Sequence, residues 1–100
     1  MKYSKVIILS NGTYNFSVRS LINPFKDKIS FDLISPDNTP VTLSLIDLYG
    51  RMVRQEKIAT QQGLNSVQLL QLGQLQSGIY ILKIQRKETI IAQRLLKSPL

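Results

Sequence analysis

Hydrophobic and polar residues alternate with period two in four stretches of the chain. Tyr14, Phe16 and Val18 alternate with Asn15, Ser17 and Arg19; Ile29, Phe31 and Leu33 with Ser30 and Asp32. Val41, Leu43 and Leu45 alternate with Thr42 and Ser44; Tyr80, Leu82 and Ile84 with Ile81 and Lys83. This period marks half-buried strands. The breaks between them carry turn chemistry: Asn11-Gly12, Asn23-Pro24, Ser35-Pro36-Asp37-Asn38, Tyr49-Gly50, Gln62-Gly63 and Ser77-Gly78.

Asn11-Gly12 lies between Val6–Leu9 and Tyr14–Val18. Both turn residues tolerate the positive φ of a type I′ turn, which predicts a β-hairpin over residues 4–20. A lone hairpin is marginal, so its apolar edge predicts dimerisation or docking onto the rest of the chain. Leu69, Leu72 and Leu75 recur at three-residue spacing, which suggests a helical turn. Gly73 costs about 1 kcal/mol relative to Ala inside a helix, and Ser66 and Val67 lower the propensity further. The expectation is a strand over 65–71 and a connecting loop over 72–78 with one helical turn.

Roughly seven to nine short strands at about 8–12-residue spacing and no long helix predict an all-β, antiparallel β-sandwich. The candidate boundary falls at Arg19–Pro24. It separates a hairpin over 1–20, from a linker or an upstream domain, from a sandwich over 21–100.

Composition narrows the function. The chain has 100 residues, one domain's worth, and 43% hydrophobic against 19% charged residues, which excludes a compositionally disordered chain. It holds no Cys and no His, so disulfides, thiolate metal sites and most hydrolase constellations are excluded. The six carboxylates, Asp27, Asp32, Asp37, Asp47, Glu56 and Glu88, form no acid–base pair motif. Neither a Gly-x-Ser-x-Gly nor a Ser-x-x-Lys arrangement occurs. The reading is a non-enzyme with no cofactor and no metal.

Lys plus Arg is 13 against 6 for Asp plus Glu, a net charge of +7 that favours an anionic partner. Nucleic acid is not that partner, because no aromatic RNA-binding run, recognition helix or Arg-rich arm appears. The apolar run Val6–Leu9 is shorter than the roughly 7–15 residues of a signal-peptide core, so no signal peptide is read in this chain. Nothing approaches the roughly 18 apolar residues of a membrane helix.

The order of motifs resembles a known family. Asn23-Pro24-Phe25 precedes an alternating strand, and Asp47-Leu48-Tyr49-Gly50-Arg51-Met52-Val53 follows a β-rich segment. Gly63-Leu64-Asn65 comes next, then Leu75-Gln76-Ser77-Gly78-Ile79-Tyr80-Ile81-Leu82-Lys83, then Arg94-Leu95-Leu96-Lys97 near the end. Together they resemble the type A C-terminal sorting domain of the type IX secretion system, also known as the Por secretion system. The resemblance covers about three quarters of the chain.

It implies an immunoglobulin-like β-sandwich at the C-terminus of a cargo exported by a Gram-negative bacterium. The cargo would cross the periplasm and outer membrane to be secreted or held at the cell surface. Translocon components would be the partners. A sortase-like cysteine peptidase would remove the domain and attach the cargo to anionic lipopolysaccharide. By the same analogy cleavage would fall near Arg19, Ser20, Leu21 and Ile22, expected to form an extended, exposed strip. Ile22 departs from the family pattern, which usually carries Pro there.

The residues themselves support structural roles for most of the signature. Pro24 fixes φ and holds Asn23 extended, as suits a linker into an edge strand. Asp47 and Gly50 bracket a tight turn, the Asp accepting a backbone N–H two residues on and the Gly supplying positive φ. Ser77-Gly78 turns the chain into a central strand, and Tyr80 is expected to point inward with its hydroxyl at the rim. The basic end is the candidate recognition element. Lys83, Arg86, Lys87, Arg94 and Lys97 against Glu88 make +4 over residues 83–97, on a last hairpin turning at Arg86–Thr89. Lys83, Arg94 and Lys97 are the residues expected to meet an acidic translocon component or lipopolysaccharide; a solvated edge is the plain alternative. The competing function is a generic cell-surface β-sandwich for binding or adhesion, with its site on loops. Of the seven aromatics only Tyr49 falls in an expected loop.

Overall fold

The computed structural model describes residues 15–99. Among the described residues seven strands form: β1 (Ser17–Arg19), β2 (Ile29–Ser35), β3 (Val41–Asp47), β4 (Met52–Ile58), β5 (Gly63–Leu69), β6 (Gly78–Arg86) and β7 (Thr89–Lys97). They make a three-stranded sheet in the order β1-β2-β5 and a four-stranded sheet in the order β4-β3-β6-β7, every pair of strands antiparallel.

The alternation read from the sequence is the inward–outward alternation of the two sheets. Ile29, Phe31 and Leu33 of β2 and Val67 and Leu69 of β5 face Val41, Leu43 and Leu45 of β3 and Tyr80, Leu82 and Ile84 of β6, all buried. The arrangement is an all-β sandwich whose pairings match the A-B-E and C′-C-F-G sheets of immunoglobulin-like folds. Tyr80 adds the corner expected of that fold: it sits early in β6, and its hydroxyl donates to the Gln76 carbonyl at 2.7 Å.

β5 departs from the sequence reading, and β4 carries no alternation from which to read it. β5 begins at Gly63, not at residue 65, and ends at Leu69. Asn65 causes the early start: its carboxamide accepts from Gln61 N–H and donates to Gln61 C=O, both at 2.9 Å, which closes the turn before the strand. The end follows from Gln71, whose φ of +64° cannot continue a strand. β4 shows no clean alternation because its register on β3 shifts between Leu45 and Ile46, a bulge that turns the strand's faces over midway. Arg54 on β4 donates to the carbonyl of Leu70, just past the end of β5, and ties the two sheets together there.

The expected loop over 72–78 holds its single turn, with Leu75 N–H donating to Leu72 C=O at 3.1 Å. Leu72 drops into the core there, anchored by its N–H to the Asp27 carbonyl at 2.8 Å. β1 pairs with β2 through Ser17↔Ile34, Val18↔Leu33 and Arg19↔Asp32, so these three residues are a strand of the smaller sheet. The rest of the predicted hairpin, residues 4–14, lies outside the described residues.

Candidate recognition site

The first and last signature segments meet. Phe25 lies along the free edge of β7 in a parallel bridge with Lys97. Its N–H donates to Leu96 C=O, and its own carbonyl accepts from Ser98 N–H, both at 2.9 Å. Two residues back, the Asn23 side-chain oxygen accepts the Leu96 N–H at 2.9 Å. Pro24, joined to Asn23 by a cis bond, offers no N–H and so leaves no donor unmatched between these contacts. The Asn-Pro pair therefore leads onto the edge of the last strand, not into β2. Phe25 is the anchor: it is buried, and its ring packs edge-on against Tyr80 with centroids 6.0 Å apart.

The other signature turns gather at the same end. Asp47 is in register with Tyr80 across β3 and β6. Its carboxylate accepts from Tyr49 N–H at 2.9 Å, Arg51 N–H at 3.0 Å and Arg51 Nε at 2.9 Å. Desolvation pulls the Asp47 pKa up, but the hydrogen bonds from Arg51 and Tyr49 outweigh it and hold the carboxyl below its ordinary range. Gly50, at φ +81°, closes the turn through its N–H to Asp47 C=O at 3.0 Å. Gly78, at φ +143°, opens β6 in a conformation that a side chain rarely adopts. Burial, and then the nearby Asp47 charge, raise the Tyr80 hydroxyl pKa. An open groove of about 350 Å³ runs between the two turns, lined by Asp47, Tyr49, Arg51, Gln76, Ser77 and Tyr80 among others. Tyr49 stands almost fully exposed at its lip, with the Arg51 guanidinium 5.5 Å from its ring centre.

The three cations chosen from the sequence do not share a face. Lys83 and Arg94 occupy outward positions on β6 and β7, Lys83 in register with Ala92 and Arg94 with Ile81. That makes them diagonal neighbours, about 7–8 Å apart at the backbone. Lys97 points the other way. It is 3% exposed, and its ammonium donates to the Ser98 carbonyl at 3.1 Å. Its charge is therefore not presented on the face that carries the other two. The strand period decides this: Arg94 and Lys97 are three apart, so they fall on opposite faces.

The Arg19–Ile22 strip meets expectation in part: Arg19, Ser20 and Ile22 are exposed, but the backbone is not extended. Arg19 is fixed in β1, Ser20 adopts φ +59°, and Leu21 packs against the core. Ile22 is well exposed. The strip is thus a bent connector between two paired segments, not an extended run.

Sequence reasoning placed Phe25 among the core aromatics, as its burial bears out, but not on the edge of β7, because no local pattern couples it to Lys97. It passed over the ion pair between Arg86 and Asp37, 2.5 Å apart and 49 positions apart in the chain. That pair seals the opposite end of the sandwich, where Arg86 also lies over the Phe16 ring at 6.0 Å. Among the described residues no group of three His, Cys, Asp or Glu could hold a metal ion.

The profile of a family described as "Secretion system C-terminal sorting domain" matches residues 23–98. Its limits are Asn23 and Ser98, residues of the contact between the first segment and β7. A comparison with curated proteins finds no match.

Proposed function

The chain belongs to the family of secretion system C-terminal sorting domains, the sorting signals of type IX secretion, and on that premise we propose that it directs an attached cargo through the translocon to the cell surface. Family membership makes it a signal domain of a secreted or cell-surface cargo, working with the type IX machinery. The observation that carries the finer reading is the clamp that joins Asn23 and Phe25 to Leu96, Lys97 and Ser98. It makes the two ends of the matched region one folded unit, so a translocon would read a shape and not a loose tail.

Within this reading, Lys83 and Arg94 meet the partner, and Lys97 fixes the end of β7. Release of the cargo by a sortase-like cysteine peptidase, with transfer to lipopolysaccharide, would need the Arg19–Ile22 connector to leave its bent conformation. β5, an edge strand without a charged residue, is the strand through which a dimer would form.

The test is export of the full chain fused behind a periplasm-directed fluorescent reporter. Export in a type IX-competent strain, with retention in its translocon mutant, is the expected result. Periplasmic retention in both strains, with the domain folded, would overturn the reading in favour of a surface-binding β-sandwich.

A further inference from the structure

The two outer faces of the sandwich differ in chemistry. On the three-stranded sheet the outward positions are Ser17 and Arg19 of β1, Ser30 and Asp32 of β2, and Ser66 and Gln68 of β5. One apolar pair, Ile34 with Leu64, interrupts them. This is the polar face expected of a sheet that meets water on one side.

The four-stranded sheet breaks that rule. β6 runs Ile79-Tyr80-Ile81-Leu82, apolar on both faces, as in a strand covered from both sides. Leu45-Ile46 on β3 and Leu95-Leu96 on β7 repeat the doubling. Registration brings the extra apolar residues together: Ile46 faces Met52 on one side and Ile81 on the other, and Ile79 faces Leu96. Met52 and Leu96 are 53% and 47% exposed, so nothing described covers the ends of this row. The charged residues at the outward positions of the four strands are Lys57, Lys83 and Arg94, all cationic.

We propose that the outer face of the four-stranded sheet, the row of Met52, Ile46, Ile81, Ile79 and Leu96 with Lys83 and Arg94, is a docking surface for a protein partner presenting apolar side chains flanked by carboxylates. Charge complementarity selects that occupant. A second copy docked by the same face would gather Lys57, Lys83 and Arg94 of both copies in one interface with no outward carboxylate on the four-stranded sheet of either to offset them, which is repulsive. The geometry favours protein over a lipid surface. The cations stand inside the apolar rows at fixed spacing, Arg94 directly opposite Ile81, and the β-branched isoleucines are stiff at χ1. Such a pattern matches carboxylates placed residue by residue. This inference deepens the sorting reading and rests on it only for where the partner is found.

The test places a photoreactive benzoylphenylalanine in the full-length reporter fusion. It replaces Leu96 on the proposed face or, as control, Leu64 on the other outer face. Cells of the competent strain are irradiated, adducts are mapped by mass spectrometry, and export is scored in the same cells. The expected result is a protein adduct at position 96 joined to a segment rich in Asp and Glu. Lys83→Glu with Arg94→Glu should lower it at least about tenfold, and the control position should not form it. Should the reversed pair not fold, Lys83→Gln with Arg94→Gln decides, with a loss of several-fold. No adduct at 96, an adduct indifferent to both pairs, an adduct to lipopolysaccharide or one to a second copy would each overturn the proposal. Export failing in the unsubstituted fusion overturns the sorting reading instead, while the adducts still decide the surface.

Discussion

The Asn23 carboxamide oxygen accepts the backbone N–H of Leu96, a residue 73 positions further along, at 2.9 Å. Through this contact the first turn of the matched region caps the last strand at its open edge. The adjoining Phe25 backbone bonds continue it, and the Phe25 ring on Tyr80 roots it in the core.

Removing the cap should loosen the strand end before it unfolds the domain. Asn23 is exposed, so Asn23→Ala should cost about 1 kcal/mol, the net worth of one hydrogen bond. The Leu96 amide should exchange with deuterium several-fold faster while the amides of β3 keep their protection. Phe25→Ala is a different case, because it empties a buried aromatic site and should cost about 3–5 kcal/mol. Urea denaturation of the two variants checks the contrast.

Tyr80→Phe isolates the corner hydrogen bond. Losing the hydroxyl leaves the Gln76 carbonyl without its donor and should cost about 1 kcal/mol at neutral pH. The raised Tyr80 pKa means the folded state keeps the phenol proton longer than the unfolded chain does. That contribution is complete below the ordinary tyrosine value of 10.0 and is lost as pH rises above it. The variant should therefore lose less stability than the parent between neutral and strongly alkaline pH, measured by thermal denaturation across that range.

The acid limb should trace to Asp37. The Thr39 backbone N–H is the largest influence on its carboxyl, with Arg86 adding to it, and together they lower the pKa from 3.8 to about 2. A depressed carboxylate stabilises the fold above its unfolded value and loses that contribution as pH falls through the folded one. Stability should thus drop between pH values of about 4 and 2, and Asp37→Asn should flatten that drop. Urea midpoints measured at intervals across the window check it, and an unchanged slope in the variant would assign the acid limb elsewhere.

The sandwich was legible in the sequence because strand alternation and burial are the same fact seen twice. β2, β3 and β6 show it cleanly, and their inward residues are those the period selects. β4 was not legible, since a bulge and an edge position remove the pattern that burial imposes elsewhere. The Asp47–Gly50 turn and the Tyr80 rim hydroxyl could be anticipated because they are local chemistry. The clamp could not, because its partners lie at opposite ends of the chain and no local rule couples Asn23 to Leu96. The orientation of Lys97 could be had from counting: Leu95 is apolar and inward, so Lys97 two residues on must follow it.

Lys97 offers the sharpest separation of structure from recognition. Its stem is buried and its ammonium is bonded to the Ser98 carbonyl, so its role in the fold is to fill space and hold the chain end. Lys97→Met keeps the stem and removes the charge, whereas Lys97→Ala removes both. If the stem matters, Ala should cost about 2 kcal/mol or more and Met clearly less. Export of the reporter fusion should follow the same order, with the Met variant close to the parent and the Ala variant reduced several-fold. Loss of export in both variants, with the Met variant as stable as the parent, would mean that the Lys97 charge is itself read by the partner, and that β7 must open at its end for that reading to occur.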